Sequence, residues 1–420
     1  MMMPDGKVDP WIQRPTLGAQ FAVEFLPTGR WHCLQQWNNA SIGVGAGYLN
    51  LGNDKMLGSA VTGFSYINMP FFNGKVFRIG ARPTIGLAAV DKRYINTLPE
   101  GIQPYSQARD ANGNLIANWS IGSILNAYLA LELYMDFHIT RHWDITVNGG
   151  WYHISNGSFM HPNAGYNMFG GEIGARYTPD QMPSNGIVGN GPDTDVPHTL
   201  YYDVKKKWAL EISATGAVKQ NYYKDNWGKQ HFFGAATLKV AAYWVPLSIF
   251  RIGGGLDAFY DGYYASVSKG YEVEDEEQTV TYFGKTFLKE KNIANCFRLG
   301  MSIQPELIIG KLTAGLHVGF YLFDPIKNLE PYKEAEEADK AGKSLKRELF
   351  YSYDISKASN YQDGWCYMQF VLKYHVMDML FVQLGLKTHG VRAEFIDVGL
   401  GLALPSGKQK MDKYMMRHLL

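Results

Sequence analysis

Apolar and polar residues alternate along most of this chain. In one run Trp143, Ile145, Val147, Gly149, Trp151, His153 and Ser155 share one parity, with His142, Asp144, Thr146, Asn148, Gly150, Tyr152, Ile154 and Asn156 on the other. A strand sends successive side chains to opposite faces, so each parity is a face. The same pattern recurs at Leu131–Ile139, Trp208–Ser213, Lys311–Phe320, Val382–Lys387 and Ile396–Ala403. Several runs match the ~9–11 residues that a strand needs to cross a bilayer rather than the ~5–6 usual in soluble proteins. The strand signals predict about 14–16 such segments.

Turn chemistry separates two sides. Thr140-Arg141-His142, Pro246-Leu247-Ser248, Gly310-Lys311 and Met377-Asp378-Met379 are tight, whereas 91–118, 265–292 and 324–361 are long and polar. Short turns on one side and long loops on the other are the pattern of an outer-membrane barrel. Segment 331–349 is rich in helix formers and is expected to carry a short helix outside the barrel. The expected fold is an all-β, transmembrane antiparallel β-barrel of about 14–16 strands in one ring, with two tandem eight-stranded barrels as the alternative. The expected divisions are a first barrel half over 1–178, a linker over 179–205, a second half over 206–404 and a tail over 405–420. Some tetrapeptides recur between the halves, as Phe77-Arg78-Ile79-Gly80 and Phe250-Arg251-Ile252-Gly253 do. The second half then reads as a degenerate repeat in which Val391 stands where the first has Ser155.

Composition agrees with a barrel. The 420 residues carry a net charge of +1, 45 glycines, 14% aromatic and 19% charged residues. Near-neutral charge supplies no field for nucleic acid. Mean hydropathy is −0.21, as expected when half of each strand faces a polar lumen. No apolar run reaches the ~18–20 residues of a membrane helix. Met1–Lys7 lacks the apolar core of a signal peptide, so an exported chain is expected to be a processed form or to lack its gene start. Cys33, Cys296 and Cys366 have neither disulfide nor metal spacing. The acidic run Glu272, Glu274, Asp275, Glu276 and Glu277 reads as a solvated loop, and no metal or cofactor is expected. His138 and His375 read as lumen polar residues.

One pair stands out chemically. His153 and Ser155 lie two apart on one face, roughly 6.5–7 Å between Cα atoms, within reach of a base–nucleophile contact. Their face is the apolar one, so in a barrel they look out at lipid. On the next strand Asn167 falls on the His153 face, while Glu172 falls on the lumen face, where it is expected to pair with Arg176. Trp143 and Trp151 share the dyad's stripe and read as an aromatic girdle.

The string His153-x-Ser155-Asn156, followed by Pro162-Asn163-x-Gly165-x-Asn167, resembles the motif of the outer-membrane lipid A 3-O-deacylases, the PagL or acyloxyacyl hydrolase-like family. The resemblance is best over about residues 120–178. It implies a carboxylic ester hydrolase of the bacterial outer membrane acting on lipid A, lipopolysaccharide or a related membrane lipid, with His153 as general base and Ser155 as nucleophile. Asn167 takes the place of the family's acid. Asn156 or backbone N–H groups around Gly157 are candidates for the oxyanion hole. The alternatives are a non-catalytic barrel, such as a porin or an assembly component, and a soluble β-sandwich.

Overall fold

The computed structural model describes residues 11–25, 34, 37–102, 110–111, 116–179, 208–221, 231–247, 249–266, 269–274, 279–283, 293–324, 344–350, 366–390 and 392–405. Among these the chain divides into two compact units. The first lies within Met1–Asn156 and Pro162–Tyr202, and the second comprises Gly157–His161 and residues within Asp203–Lys410. The strands fall into separate sheets, so the two-body alternative describes their pairing better than one continuous ring.

The first unit is a meander of seven antiparallel strands: β1 (Leu17–Phe25), β2 (Ser41–Asn50), β3 (Ser59–Asn73), β4 (Phe77–Val90), β5 (Leu125–His138), β6 (Trp143–Ser155) and β7 (Tyr166–Tyr177). A single-turn helix, α1 (Tyr94–Thr97), lies between β4 and β5. Strands β1 and β7 share no backbone ladder among the described residues. Their inner side chains nevertheless meet: Thr16 with Met168, Gln20 with Glu172, and Glu24 with Arg176. The sheet is therefore curled so that its first and last strands approach each other.

The second unit contains a closed barrel of β8 (Trp208–Asn221), β9 (His231–Leu247), β10 (Phe250–Asp261), β13 (Phe297–Ile309), β14 (Leu312–Phe323), β16 (Cys366–His375), β17 (Leu380–His389) and β18 (Arg392–Pro405). Three further strands, β11 (Lys269–Glu274), β12 (Thr279–Phe283) and β15 (Ser344–Phe350), form their own sheet. The two long connections that looked like plain loops thus pair with each other, β11 with β15. Residues 344–349, the end of the segment expected to carry a short helix, are strand paired with β11. Residues 331–343 lie outside the described residues, as do nearly all of the expected linker 179–205 and tail 405–420.

Burial is inverted relative to a soluble protein. Along β13, Leu299, Met301 and Ile303 are exposed, Ile303 at 63%, while Arg298, Ser302, Gln304 and Glu306 between them are buried. Such a wall is stable only where hydrocarbon is the solvent and the closed ladder satisfies every strand. The buried polar groups then satisfy each other. Lys373 lies 2.7 Å from both Glu211 and Glu306, Arg251 bridges the same two carboxylates at 2.5 Å, and His317 lies 2.8 Å from Glu306. In the first unit Arg176 reaches Asp144 at 2.5 Å and Asp136 at 3.1 Å, and Arg78 reaches Asp136 at 2.7 Å. The arginine of each repeated Phe-Arg-Ile-Gly string is one of these buried charges.

Glu172 does face the lumen, but its partners differ from the expected one. It bonds Gln20 and the Tyr152 hydroxyl, while Arg176 is taken by Asp144, Asp136 and Glu24. Residues four apart on one strand sit about 13 Å apart; the carboxylates near each residue's own level win.

The lumen charges set a stability prediction. Lys373→Met leaves Glu211 and Glu306 without one of their cations, a loss expected to cost about 3–5 kcal/mol. The lipid-facing swap Ile303→Leu should cost less than about 1.5 kcal/mol. Denaturant unfolding of the detergent-folded chain, followed by heat-modifiable gel mobility, measures both.

Candidate active site

Strand β6 carries the site because its two faces do different work. Trp143, Ile145 and Val147 on one parity are exposed, while Asp144 and Asn148 on the other are buried. His153 and Ser155 have the outward parity. The antiparallel register places His153 opposite Leu129 on β5 and Asn167 on β7.

The side chains form a relay. His153 Nε2 lies 2.7 Å from Ser155 Oγ, and His153 Nδ1 lies 2.9 Å from Asn167 Oδ1. With the proton on Nδ1, the imidazole donates to the Asn167 carbonyl and leaves Nε2 to accept from the serine hydroxyl. That tautomer is the one a general base requires. The Trp151 indole stacks on the imidazole, centroids 5.3 Å apart and planes at 17°.

The loop between β6 and β7 closes on this pair from another side. Gly165 has φ of +75°, a region that glycine enters without steric cost. A Cβ there would lie 3.0 Å from His153 Cε1 and 3.2 Å from Ser155 Cβ. The Gly165 N–H donates to Ser120 O at 2.9 Å, tying the motif loop to the β4–β5 connection. Within that connection Asn118 Nδ2 bonds Met56 O, Lys92 O and the Tyr166 hydroxyl, and Tyr94 packs edge-on against Trp119. The long polar segment 91–118 is therefore partly a folded support for the site.

Asn156, the first oxyanion candidate, immediately follows β6. Its backbone N–H donates to Asn163 Oδ1 at 3.0 Å, and its amide donates to Ser123 Oγ at 2.9 Å. These two contacts hold the end of β6 to its surroundings. Gly157, the other candidate, groups with the second unit. Three residues around the site had no role in the sequence reading. Ser123 lies 32 residues before Ser155 with no motif of its own, Asn163 sat in the motif without an assigned partner, and Trp151 read as girdle.

His389 lies two residues before Val391, as His153 lies two before Ser155. His389 points into the second barrel's lumen, where Nε2 meets the Tyr321 hydroxyl at 2.7 Å. It falls on the parity of Phe381, Gln383 and Lys387, all buried. Val391 lies outside the described residues.

With this geometry in hand, comparison with known families is informative. Residues 19–176 match the model of lipid A 3-O-deacylase (PagL), and residues 208–333 match that of the acyloxyacyl hydrolase C-terminal domain (PagL_C). The chain belongs to the PagL family. A search of curated proteins gives no significant match. Matches among solved structures include the siderophore receptor PirA from Acinetobacter baumannii, at 7% identity and a TM-score of 0.21 over 89% of this chain and 50% of that one. The FrpB iron transporter from Neisseria meningitidis matches at 8% identity and a TM-score of 0.19, over 93% of this chain and 63% of that one. A Rh. blastica porin mutant matches at 8% identity and a TM-score of 0.15, over 92% and 98%. The chain spans about half the length of the first of these receptors. Scores this low carry no argument beyond their mention.

Gly165→Ala tests the packing of this candidate site. The added methyl forces Gly165 away from the imidazole and must be borne at a positive φ. We expect labelling of Ser155 by a serine-directed phosphonate probe to slow by about tenfold or more. Heat-modifiable mobility of the folded chain should be retained.

Proposed function

We propose that this protein is an outer-membrane carboxylic ester hydrolase that removes an ester-linked fatty acyl chain from lipid A or a closely related membrane lipid. The observation that carries the reading is the hydrogen-bonded chain Ser155–His153–Asn167 on the outward face of β6 and β7. Membership of the PagL family supports the substrate class.

In this mechanism His153 Nε2 takes the Ser155 proton as Oγ attacks the acyl carbonyl. The C–O bond to the sugar hydroxyl breaks, and His153 returns the proton to that leaving oxygen. Water, deprotonated by His153, then attacks the acyl-serine; the acyl–Oγ bond breaks, His153 returns the proton to Ser155 Oγ, and the fatty acid is freed. Asn167 holds the imidazole tautomer through Nδ1 but contributes no negative charge. An outward-facing dyad suits an amphiphile that never leaves the bilayer. Its acyl chain can lie along Val147, Ile145 and the exposed Phe169 and Ile173 while the ester stays at the level of Ser155.

Expression of the chain in a lipid A-producing host should remove one acyl chain, read as a mass loss in lipid A. Ser155→Ala and His153→Asn should each lower release by about 10³-fold or more. Deacylation that persists undiminished in Ser155→Ala would keep the lipid class and discard this nucleophile. Wild-type cells with unchanged lipid A would leave a non-catalytic barrel. Asn167→Glu should raise kcat by at least about tenfold, because a carboxylate adds charge stabilisation to the orientation that Asn167 already gives.

A further inference from the structure

A serine–histidine site passes through a protonated imidazole, and in hydrocarbon that cation is costly to form. A carboxylate ordinarily offsets the cost. Here the Nδ1 partner is the neutral Asn167. The lumen carboxylates Glu132, Glu172, Asp136 and Asp144 lie on the opposite parity, behind the sheet. Around the ring stand Ser155 and Trp151 on its own strand, Leu129 across on β5, Asn167 on β7 and Gly165 in the motif loop. Among these described residues none carries charge.

We infer that Trp151 is a positioning residue whose indole face takes over the carboxylate's electrostatic role, holding the imidazole in place and stabilising the imidazolium as it forms. The inference rests on the deacylase reading above. An aromatic face carries negative charge density and attracts a cation within about 6 Å of its centroid, most strongly when the pair is desolvated. The stack at 5.3 Å and 17° meets that condition. A girdle tryptophan needs no such partner. Trp143, lower on the same stripe, meets Tyr177 at a tilt of 53° instead. Trp151 has no core to fill either, since its cross-strand neighbours Leu131 and Phe169 are exposed wall residues. The division of labour follows: Asn167 selects the tautomer, Trp151 stabilises the charged form, and Gly165 keeps the loop backbone close to the ring.

The test uses the full chain folded in detergent, with Trp151→Leu, Trp151→Phe and Trp151→Leu/Asn167→Glu. Two readouts are taken: the pH profile of kcat/KM on lipid A micelles, and titration of the His153 ring by NMR. Removing the aromatic face destabilises the imidazolium. In Trp151→Leu the His153 titration and the acid limb of the profile should therefore both move to lower pH, by about half a unit to one unit. kcat should fall by about tenfold, with KM little changed. Trp151→Phe, which keeps an aromatic face, should fall between wild type and Trp151→Leu. In the double variant the carboxylate should recover most of the lost rate. An unmoved titration in Trp151→Leu overturns the proposal, as does an equal loss in Trp151→Phe and Trp151→Leu. If wild type releases no fatty acid, the deacylase reading falls on its own. The NMR titration still decides whether the indole stabilises the imidazolium.

Discussion

Inside a bilayer a peptide N–H has no water to bond, and each unpaired one costs several kcal/mol. Strand pairing is therefore the constraint on which everything else in this protein depends. It closes eight strands of the second unit into a ring and runs seven strands of the first into a continuous meander. It also inverts the usual partition of side chains. Ile303 faces outward at 63% exposure beside the fully buried Gln304. The stabilising interior is a set of mutually satisfied charges, such as Lys373 between Glu211 and Glu306. These sit where a soluble β-protein would place its Leu and Val.

The same constraint makes the site legible. A polar pair on the lipid side of a strand is costly unless its groups satisfy each other, and His153, Ser155 and Asn167 do so in one relay. The site uses one face of a two-stranded ladder. The lumen networks use the other face of the same strands, with Tyr152 bonding Glu132 directly behind His153. Anchoring from behind leaves β6 little freedom to shift, and Ser123 and Asn163 fix its far end through Asn156. A dyad at a strand terminus, where fraying is the norm, is thereby held at hydrogen-bond distance.

Period-2 alternation decided much of this in advance. It fixed the outward parity of His153 and Ser155, and placed Asn167 on their face and Glu172 on the other. Parity survives into the fold because a register error of one residue would expose every buried charge of a strand to hydrocarbon. What it left open were contacts between distant segments. The pairing of β11 with β15 joins two loops about 75 residues apart in the chain, and no local pattern marks it. The helix-forming composition of 331–349 did not point to a strand at its end.

Side-chain partners were the least legible. Arg176 was assigned to Glu172 by proximity in sequence, yet the curl of the sheet offers it Glu24 from β1 and Asp136 from β5. Asn156 was read as an oxyanion candidate, and no local pattern showed that a serine 33 residues away and the motif's own Asn163 would be its partners. His389 mirrored His153 in the repeat, while its parity on the closed barrel turned it inward to Tyr321. By itself the sequence determined which face each strand residue occupies, because that depends only on the two-residue period of an extended backbone. Tertiary structure alone decided which groups meet on each face, including the stack of Trp151 on His153. Hydrogen bonds and ring contacts depend on ångström-scale approach between strands and loops, and curl and loop docking set that approach.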